Sequence, residues 1–153
     1  MSFKYLKQMP TPEEVKRELP LPEKYQKLKK ERDAVISDII TGKDDRFLVI
    51  IGPCSADNED AVCDYVNRLT AVQEKVADRV YIVPRIYTNK PRTTGSGYKG
   101  IASQPDPTKA PDMVEGLIAM RKMHIRAIEE SGFTCADEML YPENWGYVED
   151  LLS

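Results

Sequence analysis

The residues best suited to chemistry lie in one stretch that is rich in lysine and arginine. From Arg79 to Pro105 the chain has no Asp or Glu but five basic residues, namely Arg79, Arg85, Lys90, Arg92 and Lys99. The whole chain has a net charge of −3, so this stretch is a local excess of positive charge in an acidic chain. Arginine binds phosphate and carboxylate groups through two parallel hydrogen bonds, and lysine adds a compact positive charge. The stretch therefore predicts a site for anionic ligands.

The residues that follow these cations fit the same interpretation. Thr93, Thr94 and three nearby glycines offer hydroxyl groups and backbone N–H groups, which are common phosphate ligands. The alternative is a solvated basic loop without a ligand, as most runs of charge are. We favour the anion site because the loop follows a predicted strand, and in α/β folds ligands bind at the carboxyl ends of strands.

Two other residues stand where predicted strands end. Cys54 follows Gly52-Pro53 directly, and a thiolate there can bind a metal ion or attack a substrate, although a cysteine is more often a small buried hydrophobic residue. Glu138 stands near the end of a later strand. Its carboxylate can orient a water molecule or pair with the basic loop, and a helix cap or a plain salt bridge is equally compatible with its position.

Length and composition are those of one ordinary globular domain. The chain has 153 residues, of which 41% are hydrophobic and 31% charged. The negative net charge argues against nucleic-acid binding, and the absence of a long apolar run argues against a membrane span or secretory signal, so we expect a cytoplasmic protein. We expect Cys63 and Cys135 to be packed free thiols. The single histidine, His124, lies in a predicted helix and is given no catalytic role.

Capping residues and hydrophobic periodicity predict the helices. Thr11 and Glu14 form a capping-box pattern for a first short helix, and Gly42 is placed to end a second, longer one. Either Asp57 or Asn58 can cap the next helix, and a further helix runs from Asp112 to Gly132. A last helix is predicted over residues 143–153.

Three apolar runs predict strands, and their alternation with helices predicts an α/β fold with a parallel sheet. The run Phe47–Ile51 is continuous and therefore typical of a strand that is buried on both faces. The second strand is predicted over residues 79–87, where Pro84 favours a bulge or an unpaired position. The third is predicted over residues 133–139.

Several of these segments together resemble the 3-deoxy-7-phosphoheptulonate (DAHP) synthase family of the shikimate pathway, type I. The resemblance rests on the order of four motifs, Gly52-Pro53-Cys54-Ser55, Arg85-Ile86-Tyr87, Lys90-Pro91-Arg92-Thr93-Thr94 and Tyr98-Lys99-Gly100, and it extends to Ala136-Asp137-Glu138. It covers nearly the whole chain. One departure is that Ala56-Asp57-Asn58 follows the first motif, where the family commonly has Ile-His-Asp.

The resemblance implies a metal-dependent TIM-barrel enzyme that condenses phosphoenolpyruvate with erythrose 4-phosphate and releases inorganic phosphate. It implies that Cys54 binds a divalent metal of the Mn, Fe, Co or Zn class. Arg85 and Lys90 would contact phosphoenolpyruvate, and Glu138 would lie near the reacting water, which makes Lys90 and Glu138 the candidate catalytic residues. Arg92 and Thr93 would bind the sugar phosphate.

The resemblance also implies that later strands of the family, which supply further metal ligands, lie outside these 153 residues. We therefore expect an N-terminal helical extension over residues 1–45, and the first three βα units of the barrel over residues 46–153. Alone, the chain is expected to be inactive and to leave Val49, Ile51, Ile82 and Val83 without opposing strands. The complete enzyme is expected to be a homo-oligomer. The rival hypothesis is a non-catalytic α/β module that binds phosphorylated metabolites or a partner protein.

Overall fold

The computed structural model describes residues 7–90 and 97–153, which form an α/β structure. Its elements, in chain order, are α1 (Pro12–Glu18), α2 (Glu23–Ile40), β1 (Phe47–Ile51), α3 (Glu59–Val76), β2 (Val80–Pro84), α4 (Met113–Ser131) and a 3₁₀ helix (Pro142–Tyr147). Among these described helices, none is both long enough and apolar enough to cross a membrane.

The predicted helix ends are confirmed by hydrogen bonds. Thr11 and Glu14 form a capping box in which Thr11 Oγ1 accepts from the Glu14 N–H at 3.3 Å and the Thr11 N–H donates to Glu14 Oε2 at 2.8 Å. The cap of α3 is Asn58, whose side chain accepts from Ala61 N–H at 2.9 Å. At the end of α4, Gly132 has a φ of 72°, a left-handed conformation that glycine adopts without strain.

β1 and β2 form a parallel pair in a regular register. Phe47 lies opposite Val80, and Ile51 lies opposite Pro84. The prediction of a bulge or an unpaired position at Pro84 is therefore wrong. Pro84 is the last residue of β2, and its carbonyl oxygen accepts a hydrogen bond from the Ala136 N–H at 2.8 Å. A proline at a strand end is tolerated because its missing N–H interrupts little of the ladder.

The prediction that β1 is buried on both faces is also wrong. Phe47 is 72% exposed, Ile50 57% and Ile51 42%. Among the described residues β1 pairs with β2 alone, so it is an edge strand, whereas β2 lies between β1 and residues 135–136. Ile82 and Val83 of β2 are accordingly buried, at 4% and 2% exposure. The expectation that these two side chains are left uncovered for want of opposing strands is therefore wrong.

The predicted third strand, residues 133–139, is present only as isolated parallel bridges. Ala136 pairs with Arg85 on one side, and Cys135 pairs with Leu152 on the other. The predicted last helix is replaced by the 3₁₀ helix and the turns that follow it. Among the described residues, the regular sheet therefore has two strands.

Arg32 of α2 explains why the ladder beyond β2 is short. Its Nη2 donates to the Ile82 carbonyl at 2.9 Å, and its Nε donates to Thr134 Oγ1 at 3.0 Å. The guanidinium group also stacks on the rings of Tyr81 and Phe133, 4.8 Å from each ring centre. Since Arg32 occupies the Ile82 carbonyl, that group is already bonded where a longer third strand would pair.

A buried arginine joins α4 to the two ends of the chain. Arg121 is fully buried, and its guanidinium pairs with both carboxylate oxygens of Asp150 at 2.6 and 2.8 Å. It also donates to the carbonyl groups of Leu19 at 2.7 Å and Tyr147 at 2.9 Å. The buried charge is thus compensated and hydrogen-bonded, as burial of an ion requires.

Candidate functional site

The first strand-end segment is positioned by a close approach of two backbones. Gly52 directly follows β1, and a Cβ atom at this position would lie 1.9 Å from the carbonyl oxygen of Arg85. Only glycine lets the chain after β1 run this close to the chain after β2. Cys54 follows two residues later with an exposed side chain.

Arg85, directly after β2, connects the segment that follows β1 with the segment that follows the Arg85–Ala136 bridge. Its Nη2 donates to the Pro53 carbonyl at 2.9 Å, and its Nη1 makes an ion pair with Glu138. The side chains are 27% and 41% exposed, so this pair is open to a competing anion. Two of the predicted site residues, Arg85 and Glu138, are therefore in direct contact.

Lys90 reaches the same segment from the other side. Its Nζ lies 2.6 Å from Cys54 Sγ and 3.2 Å from the Cys54 carbonyl oxygen. Arg85 and Lys90 both approach the ring of Tyr87, at 5.2 and 6.0 Å from the ring centre. The two cations thus flank one aromatic ring and contact consecutive residues, Pro53 and Cys54, so the structure brings Cys54, Arg85 and Lys90 together.

Tyr87 has no role in the sequence-based interpretation, yet it lies at the centre of these contacts. Burial raises the pKa of its hydroxyl, and the neighbouring Glu138 carboxylate raises it further, whereas Lys90 and Arg85 oppose this shift. The neutral phenol therefore offers the site a hydrogen-bond donor and a face for the two cations. Its position two residues after Arg85, just beyond the end of β2, is the sequence feature that could have indicated a place in the site.

Beside Lys90 lies a pocket of about 190 Å³. It is lined by Thr88, Asn89, Lys90, Lys99, Ala102, Ser103 and Tyr141. Lys99 thus belongs to the same pocket as Lys90 although nine positions separate them in sequence. The pocket offers two lysines and three hydroxyl-bearing residues, a composition that suits an oxyanion.

Part of the predicted anion site cannot be placed. Arg92 and Thr93, predicted to bind a sugar phosphate, lie outside the described residues, as does Thr94. Of the five cations in the acid-free stretch, Arg79 lies at the opposite end of β2 and pairs with Asp78 at 3.5 Å. Arg79 therefore does not belong with Arg85 and Lys90.

The sequence patterns also did not indicate a buried polar cluster below these side chains. Asp137, which was considered only as a neighbour of Glu138, has a side chain with no exposed surface. His124 is 1% exposed, and its Nε2 lies 3.4 Å from Asp137 Oδ2. Cys63 and Cys135 are buried free thiols, as predicted.

The described residues do not form a metal site on their own. Across residues 7–90 and 97–153, no three His, Cys, Asp or Glu side chains come close enough together to hold an ion. The thiol of Cys54 is chemically suited to be one metal ligand. The single histidine, His124, does not add a second ligand there, because its Nε2 contacts Asp137. One thiol does not define a coordination geometry.

Comparison with known proteins points to one family. The model of the DAHP synthetase I family matches residues 18–153. The Tyr-sensitive phospho-2-dehydro-3-deoxyheptonate aldolase of Salmonella typhimurium is 36% identical over 143 residues, which are 94% of this chain and 40% of that protein. The phenylalanine-inhibited enzyme of the same name from Saccharomyces cerevisiae is 39% identical over 124 residues, covering 81% of this chain and 32% of that one.

A solved structure agrees with the sequence comparison. The phospho-2-dehydro-3-deoxyheptonate aldolase from Francisella tularensis superimposes with a TM-score of 0.87 at 28% sequence identity. The match covers 99% of this chain and 44% of that one. The chain therefore spans less than half the length of the relatives that it matches.

Proposed function

The chain belongs to the DAHP synthetase I family, and we propose that it carries the phosphoenolpyruvate-binding part of a DAHP synthase. The reaction is an aldol-type condensation in which phosphoenolpyruvate, erythrose 4-phosphate and one water give 3-deoxy-D-arabino-heptulosonate 7-phosphate and inorganic phosphate. Since the chain covers 40% of a relative's length, this activity and both substrates are parts of the proposal.

The observation that supports it is the convergence of Arg85 and Lys90 on the Pro53-Cys54 segment, where Arg85 Nη2 and Lys90 Nζ contact consecutive residues. Phosphoenolpyruvate carries a phosphate and a carboxylate, so it needs two cationic groups a few ångströms apart. The forked guanidinium suits a two-point contact with one of these groups, and the ammonium supplies a point charge for the other.

The remaining roles follow from the contacts of each side chain. A substrate anion that binds Arg85 replaces Glu138 in its ion pair. The released Glu138 carboxylate then orients the water that attacks the substrate. Lys90 stabilises negative charge on the departing phosphate. Cys54 is assigned as one metal ligand of the complete enzyme, and no step is assigned to the metal because the described residues offer a single donor. The roles of Arg92 and Thr93 in binding sugar phosphate rest on the family resemblance.

The same proposal covers the domain organisation. We place an N-terminal helical extension in residues 1–45, and the first three βα units of a TIM barrel in residues 46–153. Residues 135–136 support a third strand, since Ile86 N–H donates to the Ala136 carbonyl at 2.8 Å and Ser153 N–H donates to the Cys135 carbonyl at 3.1 Å. These bonds run on both sides of the segment, as in an inner strand. The cytoplasmic location and the homo-oligomeric state stay predictions.

Calorimetric titration of the 153-residue chain tests the proposal. Phosphoenolpyruvate should bind one-to-one and at least about tenfold more tightly than either pyruvate or inorganic phosphate, because each of these presents only one of the two anionic groups. Equal affinity for phosphate and phosphoenolpyruvate would indicate a general phosphate site. With erythrose 4-phosphate and manganese added, we expect no phosphate release, because the described residues lack a metal site.

A further inference from the structure

A buried carboxylate, Asp137, holds together the two segments that carry the candidate site residues. Its Oδ1 accepts hydrogen bonds from the backbone N–H groups of Thr88 at 3.0 Å and Glu138 at 2.7 Å. Its Oδ2 accepts from the Thr88 hydroxyl and lies 3.4 Å from His124 Nε2. Since a carboxylate can only accept, the histidine contributes an Nε2–H donor. Asp137 thus receives donors from three separate parts of the chain.

A second row of hydrogen bonds leads to the same carboxylate. Asn144 Nδ2 donates to Asn89 Oδ1 at 2.7 Å, and Asn89 Nδ2 donates to Thr88 Oγ1 at 2.9 Å. The Thr88 hydroxyl then donates to Asp137. Each group donates to the next, so Asp137 is the final acceptor of the row. Asn89 is 1% exposed and Asn144 5%, so water does not replace these bonds readily.

We propose that Asp137 is a positioning residue for phosphoenolpyruvate binding, a role that rests on the proposed function of Arg85 and Lys90. Thr88 stands two residues before Lys90, and Asp137 stands directly before Glu138, which pairs with Arg85. By fixing the Thr88 backbone against the Asp137-Glu138 backbone, the carboxylate sets the spacing of the two cations. Among the described residues, backbone pairing between the two segments stops at the isolated Arg85–Ala136 bridge, so beyond it the Asp137 side chain holds them together.

An amide is a poorer partner for the four donors that Asp137 accepts. Asn has nearly the same shape as Asp, but its single carbonyl oxygen has two lone pairs, and its NH₂ group is a donor. In Asp137→Asn, either the backbone N–H groups of Thr88 and Glu138 or the Thr88 hydroxyl and His124 must face an NH₂ group. In the first arrangement buried donors face each other. In the second the Thr88 hydroxyl loses its acceptor and His124 must move its ring proton to Nδ1, so both arrangements weaken the contact between the two segments without creating a cavity.

The first experiment measures the Kd of the wild-type chain and its variants for phosphoenolpyruvate by calorimetry. Asp137→Asn should raise the Kd at least about tenfold. The matched control is Asp150→Asn, which disturbs the buried Arg121 pair elsewhere in the fold and should leave the Kd within about twofold of wild type. A folded Asp137→Asn chain with an unchanged Kd would overturn the proposal.

Two less disruptive variants test the positioning role of Asp137 if Asp137→Asn fails to fold. Thr88→Val keeps the backbone N–H but removes the hydroxyl that joins Asn89 to Asp137, and it should weaken phosphoenolpyruvate binding. Thr88→Ser restores the hydroxyl and should restore the affinity. Equal affinity of the Val and Ser variants would contradict the proposed role.

Nuclear magnetic resonance separates this proposal from the proposed function. We expect the backbone order parameter of Lys90 to fall in Asp137→Asn and to stay at its wild-type value in Asp150→Asn. The chain has one histidine, so the ring nitrogen signals belong to His124 and should change in the first variant only. If the wild type binds no phosphoenolpyruvate, the proposed function is wrong. An unchanged Lys90 order parameter in Asp137→Asn would show that the positioning role is wrong, whatever the wild type binds.

Discussion

Lys90 Nζ lies 2.6 Å from Cys54 Sγ, although 36 residues separate the two in sequence. An ammonium group beside sulfur stabilises the thiolate, the form that binds metals and reacts with electrophiles. The two other cysteines have a different environment. Burial raises the pKa of the Cys63 thiol to about 11 and that of Cys135 to about 12. The three thiols therefore differ in reactivity.

The first prediction is that iodoacetamide modifies Cys54 selectively. At about pH 8 the native chain should take up one label, because Cys63 and Cys135 are buried and stay protonated. Intact mass and peptide mapping give the number and position of labels, and the denatured chain should take up three. Phosphoenolpyruvate should slow the reaction, since Lys90 is then engaged. Labelling of Cys135 ahead of Cys54 would contradict this assignment.

The second prediction concerns metal ions. Manganese, cobalt and zinc should bind the chain weakly, because the described residues bring no three metal-ligating side chains together. Calorimetry of the wild type and of Cys54→Ser measures the effect. Tight one-to-one binding that Cys54→Ser abolishes would reveal ligands that the described residues do not show.

The third prediction is that Gly52→Ala is far more destabilising than another glycine substitution. Its Cβ would lie 1.9 Å from the Arg85 carbonyl oxygen, and backbone must move to relieve the clash, at a cost of about 2–3 kcal/mol. Gly132→Ala is the control, because its Cβ meets nothing within 4 Å and it pays only for the left-handed conformation, about 1 kcal/mol. Urea unfolding compares them. Equal losses in free energy of unfolding would show that the two backbones can separate freely.

The fourth prediction concerns acid. Hydrogen bonds from the Thr108 hydroxyl and backbone N–H, and then from Lys109, lower the pKa of Asp106 from 3.8 to about 2. The folded-state pKa lies below the unfolded one, so the ionised group stabilises the fold above pH 3.8, and this contribution is lost as the pH falls through about 2. Asp106→Asn should flatten the pH dependence of the unfolding midpoint in this window. A curve parallel to that of the wild type would count against these bonds.

Local signals in the sequence predicted the helix ends correctly. Thr11, Asp112 and Gly132 act through bonds to residues a few positions away, so their types and spacing are sufficient. The exposure of β1 was not predictable in this way. The apolar run of β1 indicates that the strand is suited to burial between other apolar elements. Whether such elements cover it depends on residues far away in the chain.

The candidate site shows the same division. The approach of Arg85 to Pro53 and Glu138 follows from the parallel order of the segments that carry them, which a sequence pattern can indicate. The row of hydrogen bonds to Asp137 depends on Asn144 and His124, which lie on a 3₁₀ helix and on α4. Their convergence is a product of packing, and no spacing in the sequence specifies it.

The proposed anion site is tested most sharply by the effect of Lys90→Gln on phosphoenolpyruvate binding. The control is Lys75→Gln, which removes the same charge from the exposed surface of α3. Titration calorimetry should show one site on the wild type, a Kd at least about tenfold higher for Lys90→Gln, and a Kd within about twofold of wild type for Lys75→Gln. If Lys90→Gln binds phosphoenolpyruvate as tightly as the wild type, the anion site is not where Arg85 and Lys90 meet, and the proposed function of these residues is wrong.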